Sequence, residues 1–280
     1  MALAMHLSDT VNLKERVPFE PIPAGILCNW GPDGQTPAGR VVEEARRFVA
    51  DTDFNEFCQG HESLYRETES RYRQQIESEA HLEWFASIFG HRPGLPAHIV
   101  LCLQNDGCNY PGLVQLGDRV EYYVFIGVGI WDEDGVPAYP AKAGYWTVGP
   151  IVHELLHLYL APHFGAPASY LSAEGMREAG ERLLESVGDS LDLDAYGEWW
   201  CVIDETVVNA WQVRYELATR GREAAEGCAA QAVRKGLLWT PALAELLAEY
   251  EADRTRYPQF DSFTPKLVEF FREQAGLPKQ

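Results

Sequence analysis

Two histidines four residues apart, with a glutamate directly after the first, stand in the stretch IVHELLHLYL from Ile151 to Leu160. On an α-helix, positions i and i+4 lie one above the other. His153 and His157 can therefore offer imidazole nitrogens to one ion, and Glu154 falls beside it. This is the HExxH arrangement, in which two neutral imidazoles hold Zn²⁺ and the carboxylate takes a proton from the water that the metal activates. The chemistry it points to is metal-assisted hydrolysis. Ile151, Val152, Leu155, Leu156, Leu158, Tyr159 and Leu160 make the rest of the stretch apolar, so the helix reads as buried on nearly every side. A carboxylate and two imidazoles in such surroundings need partners, and one cation serves all three.

A catalytic zinc takes three protein ligands and keeps a fourth position for water. Two residues compete for the third place. His163 completes HExxHxxLxxH, the spacing of the metzincin signature, but Leu160 stands where that signature has the glycine that turns the chain back. The downstream Met176 sits in SAEGMREAGERLLES, a polar helical pattern and not a tight turn. The other candidate is Glu205, in GEWWCVIDETVVNAWQVRYELATRG, which reads as one helix from about Gly197 to Thr219. Its neighbours one turn away include Cys201, Val202 and Val208, an apolar setting in which a carboxylate is costly unless a metal or a base such as Arg214 pairs it. Asn209, one turn later, is placed to hydrogen-bond a zinc-bound histidine from behind. Hydrolysis also needs a donor for the oxyanion of the tetrahedral intermediate. Tyr215 is the candidate taken, with Tyr110, Tyr159 and Tyr196 as others.

The elements that must position these groups follow from periodicity and breakers. Residues 1–39 are dense in Pro and Gly and read as an irregular arm with one strand near Ile26 to Trp30. A helical pattern starts at Arg40, a polar helix runs from about Glu62 to Ile76, and HLEWFASIFG ends on Gly90. HIVLCLQ and EYYVFIGVGIW read as strands, with the turn formers NDGCNYPG from Asn105 to Gly112 between them. The strand edge expected to receive an extended substrate is Tyr122 to Gly129. DEDGVPAYPAKAG is a loop, and the metal helix runs from near Thr147 to Leu160, where Pro162 ends it. Helices follow Gly221 as far as Lys235, then over PALAELLAEYEADRTRY and PKLVEFFREQAG. The expected fold is α+β, a small twisted sheet with the HExxH helix and a mainly helical C-terminal half. It divides into an arm at 1–39, helices and sheet at 40–146, and a helical part with the metal-site helices at 147–280, in one integrated unit.

With 42 acidic against 23 basic residues the chain carries a formal charge of −19, which repels nucleic acid and anionic lipid. No stretch of about 18 apolar residues is present, so no membrane insertion is expected. The six cysteines are scattered without a CxxC pair or a dense framework, and a cytoplasmic location with free thiols is the simplest expectation.

HELLH followed by ETVVN on a later helix resembles the gluzincin group of zinc metallopeptidases, whose pattern is HExxH with a downstream ExxxD; Asn209 stands here in place of that Asp. The order NDGCNYPG, FIGVG, VHELLHLYLAP and ETVVNAWQVRY, over about Leu95 to Arg220, is also similar to a bacterial family of zincin-like proteins with no assigned function. The resemblance implies a zincin-like fold and a zinc peptidase acting on a peptide or protein substrate. A zinc-binding protein without turnover and a hydrolase of a non-peptide amide are the alternatives.

Overall fold

The structure, a computed structural model, describes residues 2–8, 12–17, 37–92, 95, 97–138, 148–161, 168–188 and 197–278. The strand expected near Ile26 to Trp30, together with His163 and Tyr196, lies outside the described residues. The chain is α+β and mostly helical, with one small mixed sheet. It divides into two compact units. The first comprises Met1–Ala80, Gly94–Leu155 and His163–Ala166, and the second His81–Pro93, Leu156–Pro162 and Pro167–Gln280.

The first unit opens with the short helix α1 (Ala2–Met5), then α2 (Pro37–Asp51), α3 (Phe54–Gly60) and α4 (Glu62–Glu79). Its sheet consists of β1 (His98–Cys102), β2 (Tyr110–Leu116) and β3 (Arg119–Gly127) in the order β1-β3-β2. β1 runs parallel to β3 from His98↔Tyr123 to Cys102↔Gly127, and β2 runs antiparallel to it from Tyr110↔Phe125 to Leu116↔Arg119. Val124 and Ile126 are buried on one face of β3 and Phe125 on the other, the alternation of a strand covered on both sides. The segment before α2 covers the Phe125 face. Met5 packs with Val114 and Phe125, and Arg16 donates from Nε to the Met5 carbonyl at 2.9 Å and from Nη2 to the Tyr123 hydroxyl at 2.5 Å.

Two sequence expectations fail here. The run from Asn105 to Gly112 is a turn only in its first part, since Tyr110, Pro111 and Gly112 already belong to β2. Pro111 is tolerated because β2 has one unpaired side among the described residues, and Gly112 leaves room for Met5, whose Sδ would lie 2.7 Å from a Cβ there. Tyr122 to Gly129 is no edge, because β3 is the central strand with a partner on each side. At its end the 105–108 turn crosses so closely that a Cβ on Gly127 would stand 2.2 Å from the Asp106 carbonyl oxygen. The Gly127 amide donates to Asn109 Oδ1 at 3.1 Å, which ends the strand with its last N–H satisfied.

The second unit is built around α8 (Trp199–Thr219), against which α7 (Met176–Val187), α9 (Arg222–Arg234) and α10 (Thr240–Ala252) pack. α11 (Thr264–Gln274) lies on α7. Trp211 is fully buried on α8 with Trp84 and Phe89 of α5 (Glu83–Phe89), Tyr250 of α10 and Phe260 around it at ring separations of 5.1–6.0 Å. Gly90, at φ +82, stops α5 as its position after an aromatic helix predicts. α6 (Gly149–Leu160) carries the HExxH residues, and its chain passes from the first unit into the second after Leu155. No described helix is long and apolar enough to cross a membrane.

Candidate metal centre

Helix α6 is apolar almost all round. Val152, Leu155 and Leu156 are at most 2 % exposed, and the motif residues are the polar exceptions. Helical spacing stacks His153 and His157, and α8 brings Glu205 to the second of them. Ligand atoms of His153, His157 and Glu205 all lie within 4.8 Å of one another. His157 Nε2 and Glu205 Oε1 lie 3.4 Å apart. Two ligand atoms about 2.0–2.1 Å from a tetrahedral ion stand roughly 3.3 Å apart, so this separation is compatible with one metal ion shared by the pair.

The other nitrogen of His157 is held from behind. Nδ1 lies 3.0 Å from Asp204 Oδ2, and Asp204 Oδ1 accepts a hydrogen bond from the Tyr170 hydroxyl at 2.5 Å. Tyr170 is buried in a short 3₁₀ turn, Ser169–Ser172, with Phe260 against its ring edge at 6.1 Å. The chain Tyr170–Asp204–His157 therefore orients the ring through Nδ1 and turns Nε2 toward Glu205, the kind of support found behind metal-bound histidines.

Two carboxylates converge on one imidazole, and the electrostatics register it. Burial opposes a charge on His157, but the hydrogen bonds to Asp204 and Glu205 and their negative charges outweigh it, so the imidazolium is favoured well above its usual range. Burial, then the charge and hydrogen bond of Asp204, push the Tyr170 phenol well up, so it stays a donor. The donor set, with Asp204 behind it, brings two negative charges to this ring, which a proton offsets in part and a divalent cation in full. The set's composition of two imidazoles and a carboxylate suits zinc.

Asn209 turns toward Glu205 and not toward a histidine. Its Nδ2 donates to the Glu205 backbone carbonyl at 2.8 Å and lies 3.4 Å from Glu205 Oε2, so it steadies the Glu205 carboxylate. Arg214, the base that would have neutralised Glu205 without a metal, instead forks onto Glu251, with Nε 3.0 Å from Oε1 and Nη2 on Oε2.

Of the tyrosines, Tyr215 is fully buried; its ring edge meets Trp84 at 5.4 Å and its hydroxyl accepts the His81 N–H at 3.0 Å. Tyr159 stacks on Phe85. Tyr110, at the start of β2, is 45 % exposed. Partial burial, then the charge and hydrogen bond of the Cys108 thiol, then the charge of Glu154 raise its phenol. Glu154 itself is 6 % exposed.

The sequence reading missed Asp204 and Tyr170. Neighbours on a helix diverge by about 100°, which argues against Asp204 and Glu205 serving one ligand. They do so because they address the two opposite nitrogens of the same ring. Tyr170 is 34 residues away from Asp204 with no local signal. Set against protein-family models, curated proteins and solved structures, the chain matches none, so the likeness to gluzincins rests on these residues and their spacing.

Proposed function

We propose that the protein is a zinc-dependent metallopeptidase with a zincin-like site, in which His153, His157 and Glu205 hold the metal. The observation that carries this reading is the 3.4 Å approach of His157 Nε2 to Glu205 Oε1 while Asp204 engages the opposite nitrogen. Zinc, when bound, supplies a Lewis acid that polarises the scissile carbonyl and makes water acidic enough to attack near neutral pH. Glu154 follows His153 directly and acts as the general base: it accepts the proton of the attacking water and hands it to the amine nitrogen as the C–N bond breaks. Tyr215 has its hydroxyl on the His81 amide in an aromatic core, and Tyr110, exposed at the start of β2, is the tyrosine we take as the donor to the developing oxyanion. β2, which Tyr110 begins, replaces Tyr122 to Gly129 as the edge on which an extended substrate pairs main chain to main chain.

The test pairs metal analysis with one variant. Purified protein is expected to hold about one zinc per chain, and Glu154→Gln to keep it while losing roughly 10²–10⁴-fold in cleavage of a mixed peptide library. Cleavage by that variant at the wild-type rate, or protein free of metal after preparation without chelators, overturns the reading.

A further inference from the structure

Independently of the metal site, the first unit carries an aromatic surface that nothing among the described residues covers. α3 has no buried residue although its sequence, FNEFCQG, includes two phenylalanines. Phe48 on α2 is 55 % exposed and Phe57 on α3 is 52 % exposed. The rings run on continuously: Phe48 meets Phe54 edge-on at 5.6 Å, Phe54 stacks on Phe57 at 6.1 Å, and Phe57 lies 4.1 Å from the His61 ring. Tyr65, one turn beyond His61, is 40 % exposed. Single exposed aromatics are ordinary, but a contiguous row of them marks a surface that another molecule occupies.

The rim says what kind of molecule. Asp51, Asp53 and Glu56 are exposed beside the row, and among the described residues none pairs with a base; of the nearby arginines, Arg46 donates to the Asn12 and Leu13 carbonyls, Arg47 pairs with Glu44 and Arg66 with Glu62. An aromatic strip edged by unneutralised carboxylates attracts cations twice, through the carboxylates and through the ring faces. A second copy of the chain would bring the same three acids against themselves in a two-fold contact, and the net charge of −19 repels nucleic acid and anionic membranes. We infer that the Phe48–Phe54–Phe57 face of α2 and α3 is a docking surface for a cationic, apolar segment of a partner protein, one that alternates Lys or Arg with large apolar side chains.

The probe is a short fluorescently labelled peptide alternating lysine with leucine and tryptophan, titrated with full-length protein and followed by anisotropy. Phe48→Ser with Phe57→Ser leaves the charge untouched and is expected to weaken binding about tenfold or more, as loss of aromatic anchors does. Asp51→Asn, Asp53→Asn and Glu56→Gln together are expected to weaken it several-fold and flatten its salt dependence, roughly the behaviour of rim charges. Removing the same number of charges from the second unit, with Glu223→Gln, Glu226→Gln and Glu245→Gln, is expected to change little. All these positions are exposed, and circular dichroism checks that the variants fold. Wild-type protein that ignores the peptide, serine variants that bind like wild type, or an equal loss in the second-unit control each overturns the inference. So does sedimentation velocity showing a wild-type dimer that the serine variants dissolve, which would give the face to a second copy.

Discussion

Asp204→Asn tests the support behind the metal site. The substitution keeps the shape of the side chain and removes its charge. Asp204 offers two acceptor oxygens, one 3.0 Å from His157 Nδ1 and one receiving the Tyr170 hydroxyl at 2.5 Å. Asparagine offers one acceptor oxygen to the same two donors, so either the imidazole or the phenol loses its partner. A hydrogen bond to a charged acceptor is worth about 1.5–3 kcal/mol and a neutral one about 1. The loss is thus about 1–2 kcal/mol, or roughly 5–30-fold in zinc affinity, overlapping the lower part of the roughly 10–100-fold range for groups behind metal ligands. A competition titration against a chromophoric zinc chelator measures it directly without any substrate. Tyr170→Phe acts only through Asp204, so it is expected to cost about two- to fivefold alone and almost nothing in the Asp204→Asn background, the non-additivity of a linked pair. Zinc affinity of Asp204→Asn within twofold of wild type, or a Tyr170→Phe effect that persists in full beside it, would refute the reasoning.

Glu205→Ala is expected to reduce bound zinc to a small fraction of one per chain, while His163→Ala leaves it near one; the reverse pattern in plasma emission analysis returns the third ligand to the metzincin spacing. Gly127→Ala places a methyl carbon against the Asp106 and Cys108 carbonyl oxygens, at 2.2 and 2.6 Å, and is expected to cost about 3 kcal/mol or more, read as a lowered denaturant midpoint. An unchanged midpoint would mean that the 105–108 turn yields freely. Burial raises the Glu216 carboxyl despite the Arg220 guanidinium at 3.2 Å. A raised carboxyl adds stability that is present below its unfolded pKa and is lost as pH rises through the folded one. Glu216→Gln is therefore expected to raise Tm at pH 7 and to change it less near pH 4, close to the ordinary carboxylate range. A lower Tm at pH 7 would mean that the Arg220 pair outweighs burial.

The parts of the molecule written in local pattern were readable. α6 and α8 follow from apolar periodicity, and Glu205 stood out because a carboxylate amid Val202, Val208 and Cys201 has to be compensated by something. β1 and β3 follow from their β-branched and aromatic content. What sequence hid depends on neighbours distant along the chain. Pro111 and Gly112 look like turn residues until β2 is seen as an outer strand with Met5 lying over it. Whether β3 is central or an edge is a matter of pairing partners, which its own composition does not carry. α3 escaped because its phenylalanines face outward, giving no buried stripe to detect. Asp204 and Tyr170 matter only because the two nitrogens of the His157 ring meet two adjacent residues of α8, one of which accepts the hydroxyl of a distant tyrosine.

The central claim is that one metal ion joins helices α6 and α8. X-ray absorption at the zinc edge on protein loaded with one equivalent tests it most directly. The expected spectrum shows two imidazole nitrogens and carboxylate oxygen at about 2.0–2.2 Å, with one imidazole contribution lost in His157→Ala and the carboxylate contribution altered in Glu205→Ala. A spectrum of zinc in a hexa-aqua shell, or one unchanged by both substitutions, would contradict the account.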